Sequence, residues 1–397
     1  MNSKPHNRIY LDYNATAPCR EEVVAEVMRV MEAGYGNPSS LHHEGQHARS
    51  LVEDARERIA SSLGAQPLEI VFTSCGSEAD DLAILGSVMA SDADTPNIVT
   101  SGIEHPAVLV SCLQAEGRGM ATVAYAGCDA RARVDPERVS ELMSSGTALV
   151  SIMHANNEVG TIQPVRQISD LAHARGIPVH TDAVQSLGRI NVNVEDLGVD
   201  LLSISGHKLG GPKGIGALYI RKGTALQPVL VGGAQERGRR AGTENVAGIA
   251  GLAKAVEIAV EMQPAESQRL AALKDVLWTE LSGIEGISLN GMLAGSLPNT
   301  LNISFDNLGG EDLMQVLDLA GIAVSTGSAC AVGATKPSHV IAAMGDSAGS
   351  RCGPLRISMG YRTSESDVAA CAREIGKAVI QLRESGCTCC CGGSSTS

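Results

Sequence analysis

Aromatic side chains are scarce: two Phe, one Trp and six Tyr make up 2% of the chain. So few rings leave little for nucleobases to stack on, which argues against a single-strand binder built on an aromatic platform. Basic residues are outnumbered too. With 31 Lys and Arg against 44 Asp and Glu the formal charge is −13, a sign that repels phosphate backbones and anionic membrane surfaces. No apolar run reaches the roughly 20 residues a bilayer requires; the most apolar helical stretch, 248–262, is broken by Lys254, Glu257 and Glu261. The opening MNSKPHNRIY lacks the apolar segment of a secretory signal. The expected compartment is the cytoplasm, with no membrane and no nucleic acid as partner. Eleven cysteines then read as thiols rather than as a disulfide framework.

What is present is globular. Hydrophobic residues make up 44% and charged residues 19% of 397 positions, more chain than one core usually covers, so two domains are expected. From residue 48 the pattern alternates between helix and strand. Ala48, Leu51, Val52, Ala55, Ile59 and Leu63 recur at helical spacing and Gly64 closes the helix. Strand-like runs follow at 69–73, 97–101, 148–153, 178–181, 201–204 and 216–220, separated by helical or Gly-rich stretches. That is the pattern of an α/β domain with a mostly parallel sheet. After Met262 come an amphipathic helix over 267–281, a strand over 300–304, a helix from Glu311 and a terminal helix ending near Glu384. The tail from Ser385 carries Cys387, Cys389, Cys390 and Cys391, has no periodicity, and is expected to be disordered.

In open α/β sheets ligands bind beyond the carboxyl ends of the strands, and polar clusters stand at five such ends. Thr73 to Glu78 form a turn of small residues whose backbone N–H groups and Ser77 hydroxyl suit an anion or, equally, a helix cap. Glu104-His105 and His154 to Glu158 each follow an apolar strand. Asp182 and Gln185 lie three residues apart beyond another. The last cluster, Ser203 to Lys208, puts a lysine beside hydroxyl and imidazole groups before a Gly-rich run. A lysine Schiff base with a carboxylate for a pyridinium nitrogen is what pyridoxal phosphate requires, and Lys208 with Asp182 could supply that pair. A single lysine is otherwise most often a solvated one.

The motifs IYLDYNATAP (9–18), GNPSSLH (36–42), FTSCGSEAD (72–80), EHPAV (104–108), HANNEVGTIQP (154–164), HTDAVQSLGR (180–189), SGHKLGGPKGIG (205–216), GGAQERGRRAGTEN (232–245), STGSACA (325–331) and LRISMG (355–360) occur in one order. Together they resemble the class I cysteine desulfurases of the NifS/IscS type over residues 9 to about 380. FTSCGSEAD and GGAQERGRRAGTEN are closer to the nitrogen-fixation NifS branch than to the housekeeping one. The resemblance implies a fold-type I pyridoxal 5'-phosphate-dependent transferase. Its large domain would hold a mostly parallel seven-stranded sheet flanked by helices, beside a smaller α+β C-terminal domain. The implied organisation is 1–14 as an N-terminal segment packing with the small domain, 15–262 as the large domain, 263–384 as the small domain, and 385–397 as the Cys-rich tail.

The same resemblance implies an activity that converts L-cysteine to L-alanine and leaves a persulfide on Cys330, to be passed to an iron–sulfur scaffold or other sulfur-acceptor protein. Lys208 would hold the cofactor as a Schiff base and then act as acid or base, and Asp182 would pair with the pyridinium nitrogen. His105 would stack on the ring and move protons, while Asn157 and Gln185 would bond the phenolic oxygen. Gly76, Ser77, Ser205 and His207 would hold the phosphate, and Thr243 would reach it from the neighbouring subunit of a homodimer. Arg356 would clamp the substrate carboxylate, with Asn157 beside it. The 25 residues between Cys330 and Arg356 fit the long-loop class.

Some residues depart from the pattern or mislead. Tyr13 and Ala17 replace commoner Asn and Thr, and Ser77 replaces a Thr while keeping its hydroxyl. Cys387-Thr-Cys-Cys contains a C-x-x-C spacing with no second pair, so no metal site is expected. His43-Glu44-Gly45-Gln46-His47 matches the H-E-x-x-H zinc signature, and Gly45 is expected to interrupt the helix that signature needs. Other readings of the chain are a selenocysteine lyase, an aminotransferase on the same fold, or a non-catalytic thiol or metal scaffold built on the tail.

Overall fold

The computed structural model describes residues 8–327, 338–345 and 353–385. Cys330 and the tail from 386 onward lie outside the described residues. The chain enters through β1 (Ile9–Tyr10), α1 (Glu21–Ala33) and α2 (His43–Leu63). Strands and helices then alternate: β2 (Ile70–Thr73), α3 (Gly76–Ala90), β3 (Asn97–Ser101), α4 (Pro106–Gly117), β4 (Thr122–Ala126), α5 (Pro136–Leu142), β5 (Thr147–Ser151), α6 (Val165–His173), β6 (Val179–Asp182), α7 (Val194–Leu197), β7 (Leu201–Ser205) and β8 (Gly216–Ile220). A long α8 (Val246–Leu281) leads to β9 (Ile287–Leu289), β10 (Thr300–Phe305), α9 (Gly310–Leu319), β11 (Ile322–Ala323), α10 (His339–Ala343), β12 (Leu355–Ser358) and α11 (Glu365–Glu384).

β2 to β8 form one seven-stranded sheet in the order β2-β8-β7-β6-β5-β3-β4. Its neighbours are parallel except at β8, which runs against both β2 and β7. Adjacent residues on each strand point to opposite faces, so both faces of the sheet demand cover. Val71, Ile98, Leu149, Leu201 and Leu218 pack under α3 and α4 with Leu82, Ile84 and Cys112. Their neighbours Phe72, Val99, Val150, Leu202 and Tyr219 face the other way, into a core shared with Val23, Val52, Ile59, Leu252 and Val256 from α1, α2 and α8. A second core gathers Leu11, Leu277, Leu281, Ile303, Ile357, Val368 and Ile375 around the antiparallel β12-β10-β9 sheet. β1 pairs in parallel with β11, which ties the start of the chain to this second core.

Three of the differences from the sequence expectation have a clear physical cause. The two helices expected on either side of residue 263 are one helix of 36 residues with Pro264 inside it. A proline there loses a backbone donor, yet each half is anchored, Ile249 to Val256 in the first core and Leu270 to Leu281 in the second. Gly45 does not interrupt a helix either: α2 begins at His43 and runs through it. A Cβ at Gly45 would stand 2.4 Å from the Ser40 carbonyl oxygen, so close backbone packing, and not helix breaking, explains this glycine. β4 escapes the sequence reading because TVAYA lies at the sheet edge with only its last residue buried, and so lacks the continuous apolar run of the inner strands. Among the described residues no helix is long and apolar enough to cross a membrane, and no group of three or more His, Cys, Asp or Glu stands together as a metal-ligand set.

Candidate active site

The parallel strands β2, β3, β5, β6 and β7 end on one side of the sheet. Just beyond them lies a cavity of about 220 Å³, where an open α/β sheet is expected to bind its ligand. Lys208 closes the short turn after β7 and lines the cavity. Its Nζ donates to the carbonyls of Asn14 at 2.5 Å and Ala15 at 2.9 Å. Burial, with the nearby cations Arg189 and Arg356, lowers its pKa to about 8 against the partial support of Asp182 and Asp12. Asp182 ends β6 and also lines the cavity. Burial raises its pKa to about 6, opposed by the Val184 N–H, which donates to Oδ1 at 2.8 Å, and by the Lys208 charge. The structure thus brings together the amine and the carboxylate that the sequence singled out.

His105 caps α4, its Nδ1 accepting from the Ala107 N–H at 3.1 Å. Burial, then the charges of Lys208 and His339, push its pKa down to about 4, so the ring is neutral and Nε2 carries its proton. On the opposite wall α3 starts at Gly76 after Cys75, and no side chain caps its first turn. Its free N–H groups and positive dipole end make a ready anion seat. Gly76 is required there, because a Cβ would come within 2.9 Å of Val184 Cγ2 and 3.2 Å of Ser205 Cβ. Ser77, Ser205 and His207 line the same end of the cavity. His207 Nδ1 meets the Thr16 hydroxyl at 3.1 Å, and burial lowers its pKa to about 4. Three neutral donors, an uncapped helix and a glycine cradle fit a phosphate group.

Arg356 reaches the cavity from β12 in the second core, 1% exposed. Its Nη2 pairs with Asp12 at 2.8 Å and its Nη1 donates to the Asn157 carbonyl at 3.2 Å, while Nε has no partner. The Asn157 side chain makes no hydrogen bond among the described residues and lines the cavity. Gln185 is more constrained than expected: its Nε2 donates to the Asn14 carbonyl at 3.0 Å, and its Oε1 accepts from Arg189 Nη1. One amide hydrogen is left for a ligand. Thr243 is exposed and lies outside this cavity.

Sequence reasoning missed Asn14 and Arg189. Asn14 donates to the Asn157 carbonyl at 3.1 Å and the Thr300 hydroxyl at 2.9 Å, and its own carbonyl receives Lys208, so it fastens the lysine, Gln185 and the second core together. Arg189 is buried without a carboxylate, and burial together with Arg356 brings its pKa down to about 10. Both residues stood inside quoted motifs, but neither carries a local mark of its role.

Comparison with known proteins agrees with this geometry. The family model "Aminotransferase class-V" matches residues 9–371. "Cysteine desulfurase IscS" of Dictyoglomus turgidum is 44% identical over 376 residues, 94% of this chain and 95% of that protein. A solved NifS-like protein superposes with a TM-score of 0.88 at 39% identity, covering 94% of this chain and all of that one. The structure of SspA in complex with cysteine superposes at 0.77 with 36% identity, covering 88% of this chain and 98% of that one. With a lysine and a carboxylate facing one cavity at the strand ends, and relatives that match it nearly end to end, the chain belongs to the class-V aminotransferase family, among the cysteine desulfurases.

Proposed function

We propose that the protein is a cytoplasmic, pyridoxal 5'-phosphate-dependent cysteine desulfurase that takes sulfur from L-cysteine, releases L-alanine and hands the sulfur to an acceptor such as an iron–sulfur scaffold protein. The observation that carries this reading is the half-buried Lys208 amine sharing with Asp182 a cavity that is also lined by the uncapped start of α3. When bound, pyridoxal phosphate supplies an electron sink for the carbon from which a substrate proton is lost. Lys208 would hold it, and the pKa of about 8 keeps a usable fraction of that amine neutral. Asp182 would hold the ring nitrogen, Asn157 and the remaining Gln185 hydrogen the phenolic oxygen, and Gly76, Ser77, Ser205 and His207 the phosphate.

Arg356 binds the substrate carboxylate, offering its unpartnered Nε and exchanging part of its contact with Asp12. His105 is neutral and bears its proton at Nε2, so it can stack on a flat ring without repelling Lys208 and can pass that proton on. Cys330 as a thiolate attacks the substrate sulfur: an S–S bond forms, the C–S bond breaks, and the carbon fragment takes up protons and leaves as alanine. Thr243, exposed on this chain, would complete the phosphate site of a partner subunit in a homodimer. The cytoplasmic assignment agrees with the free thiols of Cys19, Cys75, Cys112, Cys128 and Cys371.

Purified protein loaded with pyridoxal phosphate should absorb in the visible, and borohydride reduction should fix the label on Lys208. Incubation with L-cysteine followed by peptide mass spectrometry should find the added sulfur on Cys330, and Cys330→Ser should abolish sulfide release. A label elsewhere, or an unaffected Cys330→Ser, would remove the reading; an aminotransferase would not need Cys330.

A further inference from the structure

Asp80 sits on α3, 1% exposed, and borders the same cavity as Asp182 and Lys208. Its Oδ1 is reached by no hydrogen-bond donor. The ring of His180 comes nearest, with Nε2 at 3.6 Å, but that nitrogen faces the Ser203 hydroxyl at 3.0 Å and Nδ1 faces the Ser151 hydroxyl at 2.9 Å. Burial drives the His180 pKa down to about 3, so the ring brings no charge. The other groups facing Asp80 are Asp182 at the end of β6, Glu104 after β3, Cys75 before α3 and the Ser203 hydroxyl on β7. None of these is a cation. An ionised carboxylate in such surroundings lacks the pairing that burial of charge demands. Asp182 has what Asp80 lacks, the Val184 N–H at 2.8 Å and the charge of Lys208.

We propose that Asp80 is a positioning residue of this site: a buried carboxylic acid that keeps its proton, so that the negative charge of the Asp80–Asp182 pair rests on Asp182, the group assigned to the cofactor's ring nitrogen. The assignment of that nitrogen rests on the proposed function; the location of the proton does not. Two carboxyls that feel each other in a dry cavity do not both ionise, and they titrate as a unit. Burial and the neighbouring carboxylates push Asp80 well above the ordinary carboxylate range, whereas Asp182 rises only to about 6. An ionised Asp80 would set a second negative charge against Asp182 and drive Asp182 itself to hold a proton.

Asp80→Asn tests this, because it keeps the shape and removes only the ability to ionise. In protein without added cofactor, an acid whose folded pKa is raised loses the wild type stability as pH climbs above the unfolded value. The melting temperature of Asp80→Asn should therefore gain on the wild type steadily between about pH 5 and pH 8, by up to roughly tenfold in the folding equilibrium per pH unit. A gap that does not change with pH overturns the proposal. In loaded protein the midpoint pH of the visible absorbance should stay where it is in the wild type, whereas removing an ionised neighbour of Asp182 would lower it. If Asp80→Asn does not fold, infrared decides: with Glu104, whose pKa burial raises to about 8, and Glu158, which burial also raises, both changed to Gln, one protonated buried carboxyl is expected to remain at pH 7, and finding none overturns the proposal. Failure of the wild type to take up pyridoxal phosphate would remove the proposed function and the absorbance arm, and the cofactor-free melt would still locate the proton.

Discussion

Capture of pyridoxal phosphate by cofactor-free protein should depend on pH through Lys208. Only the neutral amine attacks an aldehyde. With a pKa of about 8 in place of the ordinary 10.5, roughly one amine in ten is neutral at pH 7, about 300 times more than for a solvated lysine. The second-order rate of capture, followed by stopped-flow absorbance from pH 6 to 10, should rise about tenfold per unit at first and level off above pH 8. The neighbours give the sign of the perturbations. Arg189→Met removes the cation that, after burial itself, does most to lower Lys208, so the midpoint should move up and the rate at pH 7 should fall. Asp182→Asn removes the charge that supports the protonated amine, so its midpoint should move down. A rate that keeps climbing tenfold per unit to pH 10 in the wild type, or an Arg189→Met midpoint that moves down, would refute the argument.

Two further outcomes concern stability. Glu236 accepts both guanidinium arms of Arg56 at 2.8 Å and the Phe72 N–H at 2.9 Å, and it does so from left-handed backbone, with φ of 45° at Glu236 and 57° at Arg237. Arg56→Met should cost about 3–5 kcal/mol in denaturant unfolding because it strands a buried carboxylate, and adding Glu236→Leu should recover part of it; no recovery would count against burial as the cause. Lys274 is 3% exposed and its Nζ is held by the Leu293 and Leu297 carbonyls and the Ser296 hydroxyl, with its pKa lowered to about 8 by burial. A lysine depressed in the folded state pays its full cost below that value and is relieved between about 8 and 10.5, so the melting advantage of Lys274→Met should shrink as pH rises through that window, and a constant advantage would contradict it.

The sheet was legible because its strands are short apolar runs closed by polar residues, and because Leu201 to Lys208 keeps strand and chemistry in one local stretch. The roles of Asn14 and Arg189 were not legible, since each acts through partners more than a hundred residues away or through buried backbone carbonyls that leave no pattern in the sequence. The continuity of α8 was hidden for a related reason. Pro264 and a change of texture signal a break locally, and only the packing of both halves keeps the helix going. Gly45 misled in the same way, by an intrinsic preference that tertiary contact overrides.

Arg356 stands late in the chain, on a strand of the second core, yet it forms part of the same cavity as Lys208 and Asp182. During synthesis, a nascent polypeptide can shape the sheet and expose the lysine long before the guanidinium proposed to meet the substrate has left the ribosome. Vitamin capture can therefore precede competence toward the amino acid, and stalled chains truncated before residue 356 should acquire colour without turnover.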